Sequence, residues 1–596
     1  LKTAPAKTKN QTHSINIDFL ASLLLIGLGV IFFADVLFTS KNFYYRDILN
    51  FHYPLHKILV DSFAAGKLPL WNPFIYLGQP LLANPNYLAL YPSNLLHLFV
   101  PFNYAFKLHF LLHPILGGLG TYFLLRRLDL KPFPALVGAV SYQFSGAVLA
   151  FLNLYNLVPA TALIPWAGWA FQGALQGHRI RRVLLLGFLM GLLILVFEPI
   201  LLQSCALLIL ALSAFYLADK KDWRQWIKVP ALVILSAVLF AVGLSAVQWV
   251  PTFELLPLSA RGPGLQESMA LGWSMHPMDL LNTIVPNFYG FFYTLGSATS
   301  WGETYHELRE PYLVSFFTGS VTLLLAALAL LSFRKKLRSV LFIFSALTLI
   351  LALGKYGLLY GLLFHHLPLF NLGRYPSKYF LITTLFISML AALGLETAIE
   401  NVASQERRGR RRILAAGLTA GCVILGFGLV WTWNARGLQA LIRDATPSSV
   451  AAAKDFRLIA SGLAHSLAST GAFLILGALI FLQWPKLKHY GKLIEFAVLV
   501  MVVIELAAPN LGLVPYISDA DLEYVPDQTR LLVPASPNQL FRTVTPNYLA
   551  PLPEHITLKA PNRSVAWQVL YNKRSGLSFD GIKHGVQYAL FDPVDH

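Results

Sequence analysis

The side chains able to do chemistry in this sequence are a few acids and cations beside long apolar runs. Asp47 follows Arg46 a few residues past the first apolar run, where a membrane would meet water. A carboxylate there can take a proton from a hydroxyl. It can equally pair with Arg46 or with lipid headgroups, although ionisable groups at membrane depth mark function by default. Glu198 ends the apolar run GFLMGLLILVFEP and precedes Pro199, which breaks or kinks a helix. A carboxylate at a hairpin tip in the headgroup zone is the plainer account of it. Arg374 and Lys378 lie four apart in FNLGRYPSKYF, just before another apolar run. That pair suits the phosphate of a lipid-linked substrate, the guanidinium as a fork and the ammonium as a point charge. Snorkelling to lipid phosphate is the competing account. Glu303 in Trp301-Gly302-Glu303 and Glu310 before Pro311 are loop acids, flanking Glu307 and Arg309. Most loop acids are merely solvated, but loops also carry function. His52 joins Tyr44, Tyr45 and Tyr53 in a stretch that suits an interfacial aromatic belt just as well.

Several chemistries have no motif here. His276 and His306 are too far apart for a local zinc motif, and no HExxH occurs. No cofactor is required, and a divalent metal stays open without support. The absence of a Walker A sequence, a dinucleotide fingerprint and a GxSxG elbow argues against a nucleotide-fuelled pump.

The elements that must position these residues follow from composition. The 596 residues are 56% hydrophobic and only 13% charged, with a mean hydropathy of +0.58. A soluble chain carries about 25% charged residues, so this is a membrane protein. The net charge of +17 would suit nucleic acid, but the basic residues cluster in short loops between apolar spans. That is the pattern of loops facing anionic lipid, and it removes the nucleic-acid reading. Cys205 and Cys422 both fall in apolar spans and read as buried thiols rather than a disulfide or metal framework.

A spanning helix needs about 20 apolar residues, and about thirteen segments qualify. The spans begin near 18–39 and end near 493–508, with those at 183–199, 339–354 and 493–508 short or marginal. Counted this way, each strongly basic cluster falls on one side, which is expected to be cytoplasmic and to hold the N-terminus. The outer side then receives three long loops, 40–103, 251–310 and 355–378. The transmembrane domain covers 1–508, and an extracytoplasmic C-terminal region covers 509–596. That region turns rich in Pro, Asn and Asp, with β-leaning fragments at Ser564–Leu570 and Gly585–Leu590, and no internal repeat is evident. Asn562-Arg563-Ser564 matches a glycosylation sequon, a motif short enough to arise by chance. The sequence opens on Leu1, so an initiating Met is expected upstream.

The first outer loop carries a family likeness. Asp47, Pro54, the run Gly66-Lys67-Leu68-Pro69-Leu70-Trp71-Asn72-Pro73, then Gly78-Gln79-Pro80 and Tyr91-Pro92 resemble the corresponding loop of bacterial YfhO-like membrane proteins. Weaker echoes are Trp301-Gly302-Glu303, Arg374-Tyr375-Pro376-Ser377-Lys378 and Phe541-Arg542. The likeness runs to about residue 400. It departs at Phe197-Glu198-Pro199-Ile200, where the family commonly has a Gly-His-Pro-Gln-like stretch. The C-terminal outer region is also short for that family.

That family is in turn similar to the GT-C class of multi-span glycosyltransferases, whose first outer loop carries an acid. The resemblance implies an all-α polytopic fold in the bacterial cytoplasmic membrane, with a small β-containing C-terminal region. It implies a polyprenyl-phosphate sugar as donor and an envelope glycan, teichoic-acid-like polymer, lipid or protein as acceptor. Asp47 would then be the general base, with Arg46, His52, Glu198, Glu303, Glu310, Arg374 and Lys378 as substrate-binding candidates, and a single displacement would invert the anomeric carbon. Two other classes stand beside it: a lipid or glycolipid transporter, and a non-catalytic subunit of a membrane complex. Against transport, the polar residues gather in outer loops, and no matching pair of broken helices is evident. The sequence names neither the sugar nor the acceptor, nor any protein partner.

Overall fold

The computed structural model describes residues 8–72, 78–177, 180–218, 220–259, 264–290, 299–367, 370–400, 404–452, 454–486, 488–513, 515–523, 542–544 and 587–590. Long helices dominate. Among the described residues seven are long and apolar enough to cross a bilayer: Phe102–Arg127, Pro132–Asn153, Pro199–Ala218, Trp223–Leu258, Pro376–Ile399, Arg407–Trp433 and Phe456–Gln483. With the composition, these make the chain a multi-pass membrane protein. Asn16–Phe32 and Ser320–Leu331 are shorter apolar helices. The segments marked above as short or marginal are helical too, as Ile180–Val196, Lys335–Ala352 and Gly491–Asn510, but are not among those seven. The third outer loop contains the helix Leu358–His366.

Burial separates core helices from lipid-facing ones. The apolar window of Pro376–Ile399 is 94% buried and that of Arg407–Trp433 only 17%. The first is therefore a central strut, while the second leaves most of its apolar side to the bilayer. Cys422 corrects the sequence reading here, because it is exposed on that second helix; Cys205 is buried as expected. The central helix can approach its neighbour closely because residue 394 is Gly: a Cβ there would collide with the Leu325 carbonyl of the helix Ser320–Leu328. Small residues at such crossings are a common device of membrane bundles. Glu505, an acid inside the bundle, accepts from Ser320 N at 2.6 Å and Val321 N at 3.1 Å. It caps the start of that helix, where a negative charge is favoured.

One end of the bundle collects cations. Arg126 Nε donates to Asp18 at 2.7 Å, Lys131 N and Arg334 both reach Glu396, and Lys131 Nζ pairs with Glu400 at 2.8 Å. The opposite end carries the first outer loop. Its entry is held by Lys107, buried near the start of Phe102–Arg127, which donates to Val36 O, Thr39 O and Lys41 O at 3.1, 2.7 and 3.2 Å. The last carbonyls of a helix have no partner within it, and Lys107 supplies one from outside. We expect Lys107→Met to destabilise the protein by about 1–3 kcal/mol, because it strands buried acceptors. Thermal unfolding in detergent measures the loss, and hydrogen exchange should rise first at residues 39–43.

Just past this anchor, Lys41–Phe43 pairs antiparallel with Tyr516–Ser518, aligning Asn42 with Ile517. The end of the first helix and the end of Gly491–Asn510 therefore lie on the same side of the bundle. Chain continuity then demands an even number of crossings between them. Further into the loop, Trp71–Asn72 pairs with Gln79–Pro80. Gly78 closes this hairpin with φ +103°, and a Cβ there would lie 2.5 Å from the Trp71 indole. Only glycine fits both the angle and the contact. In the C-terminal region, Arg542–Val544 and Gln587–Leu590 form a parallel pair. Ser564–Leu570, the sequon at Asn562 and Phe541 lie outside the described residues.

Candidate functional site

The charged residues singled out in three separate loops meet around one side chain, Tyr312. The first loop supplies Arg46 and Asp47. Arg46 has a left-handed backbone, φ +52°, which a non-glycine residue rarely adopts. Its guanidinium bridges to the second loop, donating to Glu310 Oε2 at 3.2 Å, Tyr312 O at 3.1 Å and Pro311 O at 2.7 Å. Tyr45 adds a hydroxyl bond to Glu310 at 2.7 Å. These bonds hold the strained turn, after which Asp47 begins the helical turn Ile48–His52. Asp47 is half-buried, and no hydrogen bond holds its carboxylate among the described residues.

Glu198 and the third loop close the other side. Glu198 follows Phe197, also left-handed at φ +51°, and Pro199 opens the next helix. Proline disfavours the α conformation of the residue before it, so the chain must break there and turn Glu198 into a helix start. Tyr375, before Pro376, is left-handed at φ +70°. Arg374 precedes it, and Lys378 lies in the turn Pro376–Tyr379 that leads into the central helix. Backbone outliers of this kind concentrate at functional sites. Here Arg46 is itself one, and the other two sit directly beside Glu198 and Arg374.

The charges are not equally available. Lys378 Nζ pairs with Glu198 Oε2 at 2.9 Å, with the lysine side chain 1% exposed. Its ammonium also lies 5.2 Å from the Tyr312 and Tyr375 ring centres, a cation–π position. Glu198 Oε1 is buried with no hydrogen-bond partner among the described residues. Arg374 lies over the Tyr375 ring at 4.8 Å and forms no ion pair among the described residues. Tyr312 is close enough to feel Glu198, Arg374, Tyr375 and Asp47. Burial first, and then the charge of Glu198, lift its phenol well above the ordinary value, with Arg374 pulling the other way. Tyr312 thus stays protonated and can donate a hydrogen bond to a bound anion.

Two ion pairs, Arg46–Glu310 and Lys378–Glu198, are therefore already satisfied. Asp47 and Arg374 remain, an acid and a cation near one protonated phenol. An acid beside a cation can take a proton while the cation steadies a departing anion.

The remaining candidates lie in other clusters. His52 stacks on Tyr155 at 5.1 Å, in a buried group that includes His56 and His109. Burial holds the His56 ring far down, to about 3, so it stays neutral there. Glu303 pairs with Lys454 at 2.5 Å and ties the second loop to the segment before Phe456–Gln483. No group of three or more His, Cys, Asp or Glu suited to a metal ion occurs among the described residues. Sequence reasoning missed Tyr312 and Tyr375. Their placement beside the proline pairs Glu310-Pro311 and Tyr375-Pro376 was the available signal.

No family model matches this chain, and no curated protein matches it. Among solved structures, it is similar to ArnT from Cupriavidus metallidurans bound to undecaprenyl phosphate, with a TM-score of 0.39, 13% identity and coverage of 88% of this chain and 82% of that one. The apo ArnT structure gives 0.36, 12%, and coverage of 90% and 83%. The arabinofuranosyltransferase AftD from mycobacteria gives 0.33, 15%, and coverage of 66% of this chain and 26% of that one.

Proposed function

We propose that the protein is a membrane glycosyltransferase that moves a sugar from a polyprenyl-phosphate donor to an extracytoplasmic acceptor hydroxyl. The observation that carries this reading is that Asp47 and Arg374, neither held by an ion pair among the described residues, both lie near Tyr312. In the proposed step, Asp47 takes the proton of the acceptor hydroxyl as its oxygen bonds to the anomeric carbon. The bond from that carbon to the phosphate oxygen breaks, and its electron pair leaves with the polyprenyl phosphate. Arg374 and the Tyr312 hydroxyl steady the departing charge. A single displacement inverts the anomeric centre. No metal is needed, since the cation and the donor hydroxyl supply the stabilisation.

The finer parts of the proposal are a YfhO-like ancestry within the GT-C class, about thirteen spans, a bacterial inner-membrane location and a cytoplasmic N-terminus. An even number of crossings between residues 43 and 510, together with one crossing by the first helix, supports an odd total such as thirteen.

The test is transfer or hydrolysis by the full chain in detergent, offered a panel of polyprenyl-phosphate sugars. Arg374→Gln should raise the donor KM about tenfold, the value of one charge-assisted hydrogen bond, and leave the melting temperature unchanged. One observation favours a non-catalytic subunit instead: Lys378 is already neutralised by Glu198. If no donor in the panel is turned over by the wild type, that alternative becomes the better account.

A further inference from the structure

A cavity of about 220 Å³ opens beside the end of the first helix, and none of its lining residues belongs to the Tyr312 centre. Its apolar wall comes from Phe32, Phe33 and Val36, from Phe43 of the strand Lys41–Phe43, and from Leu149 and Leu152 of the segment Pro132–Asn153. Leu511 and Tyr516 close the circle from the far end of the chain.

The walls are held apart by their own packing. Phe43 packs on Phe110 with ring centres 4.6 Å apart, and Phe32 on Phe144 at 5.4 Å. Asn510 is the buried polar side chain in the lining, and its amide donates to Phe144 O at 3.1 Å and Leu506 O at 2.8 Å. Those two bonds use both of its N–H groups, so it offers no donor to a water, which needs several polar partners. Apolar volume left empty costs stability. An apolar cavity of about 150 Å³ already takes a benzene-sized ligand, so this one has room for a stretch of hydrocarbon chain.

The mouth has the opposite character. Leu511 is 58% exposed, so the cavity reaches the surface there, and Ile31 and Phe38 nearby in sequence to the wall are exposed too. Asp35, also in the lining, is exposed and accepts from Lys41 Nζ at 2.7 Å on both carboxylate oxygens. The same ammonium lies 4.9 Å from the centre of the Tyr516 ring. An anion and a cation thus stand together at the rim of an apolar hole, where the first apolar helix ends.

We infer that this cavity holds one acyl chain of a zwitterionic phospholipid, with the headgroup seated at Asp35 and Lys41. The phosphate accepts from Lys41 and the ammonium donates to Asp35, both charge-assisted bonds. A rim with no net charge matches such a headgroup and gives a purely anionic one no comparable fit. The buried methylenes supply the affinity. Phe43 carries the effect inward: Tyr45, two residues on, bonds Glu310 at 2.7 Å, so a filled cavity braces the strand that leads to Asp47. The site stands whether or not the protein transfers a sugar.

The experiment is native mass spectrometry of the full chain in mild detergent, titrated with phosphatidylethanolamine, phosphatidylglycerol of the same acyl chains, or a polyprenyl phosphate. One phosphatidylethanolamine per chain should be retained, about tenfold more tightly than either of the others. Leu511→Trp sets an indole across the mouth and should weaken that retention about tenfold. Asp35→Asn leaves the lysine alone at the rim and should shift the preference about tenfold towards phosphatidylglycerol. Both positions are exposed, so the lipid-free variants should melt as the wild type does. No retained phosphatidylethanolamine in the wild type, unchanged retention in Leu511→Trp, or an unchanged preference in Asp35→Asn overturns the inference. So does equal or tighter retention of the polyprenyl phosphate by the wild type.

Discussion

Asp47→Asn should lower sugar transfer by about 10²–10⁴-fold, the usual contribution of a general base, while the protein folds and melts as the wild type does. The two halves of that expectation have separate causes. The amide keeps the shape of the carboxylate, and no hydrogen bond to that carboxylate is lost among the described residues. Stability therefore has little to lose. An amide cannot accept the proton of the attacking hydroxyl, so the chemical step suffers and substrate binding does not. A kcat loss at unchanged KM separates a base from a binding group. Retention of transfer in Asp47→Asn would move the base elsewhere, and Glu198, whose buried Oε1 has no hydrogen-bond partner among the described residues, would be the next acid to test.

How much of this was legible in the sequence differs from residue to residue. The first outer loop stood out by its length and by the run from Gly66 to Pro73. Asp47, Glu198, Glu310, Arg374 and Lys378 stood out because charge beside an apolar run is costly. The structure brings those five residues, with Arg46, around Tyr312. Proline supplied a local reason that a sequence can state: Glu198, Glu310 and Tyr375 each precede one, and the chain must turn at each.

The pairing of charges was not legible. Which acid neutralises Lys378 depends on a contact between residues 180 apart in the sequence. Periodicity and composition carry no information about such a contact. His52 and Glu303 show the same limit, since their neighbours Tyr155 and Lys454 come from distant segments. Tyr312 was hidden for a different reason. A tyrosine just past the end of an outer loop looks like part of the interfacial belt, and only its setting among charges sets it apart.

Lys378→Met should be among the most destabilising single changes in the chain. It removes the cation from a pair whose lysine is 1% exposed and whose glutamate is 14% exposed. Breaking a buried pair from one side costs about 3–5 kcal/mol, because the remaining charge stays out of water without a partner. Replacing both partners avoids that penalty, so Lys378→Met combined with Glu198→Gln should melt close to the wild type. A double mutant as unstable as the single one would show that the ammonium matters through the Tyr312 and Tyr375 rings rather than through Glu198. The same double mutant also decides what Lys378 does in transfer. If its ammonium grips the departing phosphate, stability returns and transfer does not. If the pair only holds the third loop in place beside Arg374, stability and transfer return together, and Arg374 is left as the group that binds the anion.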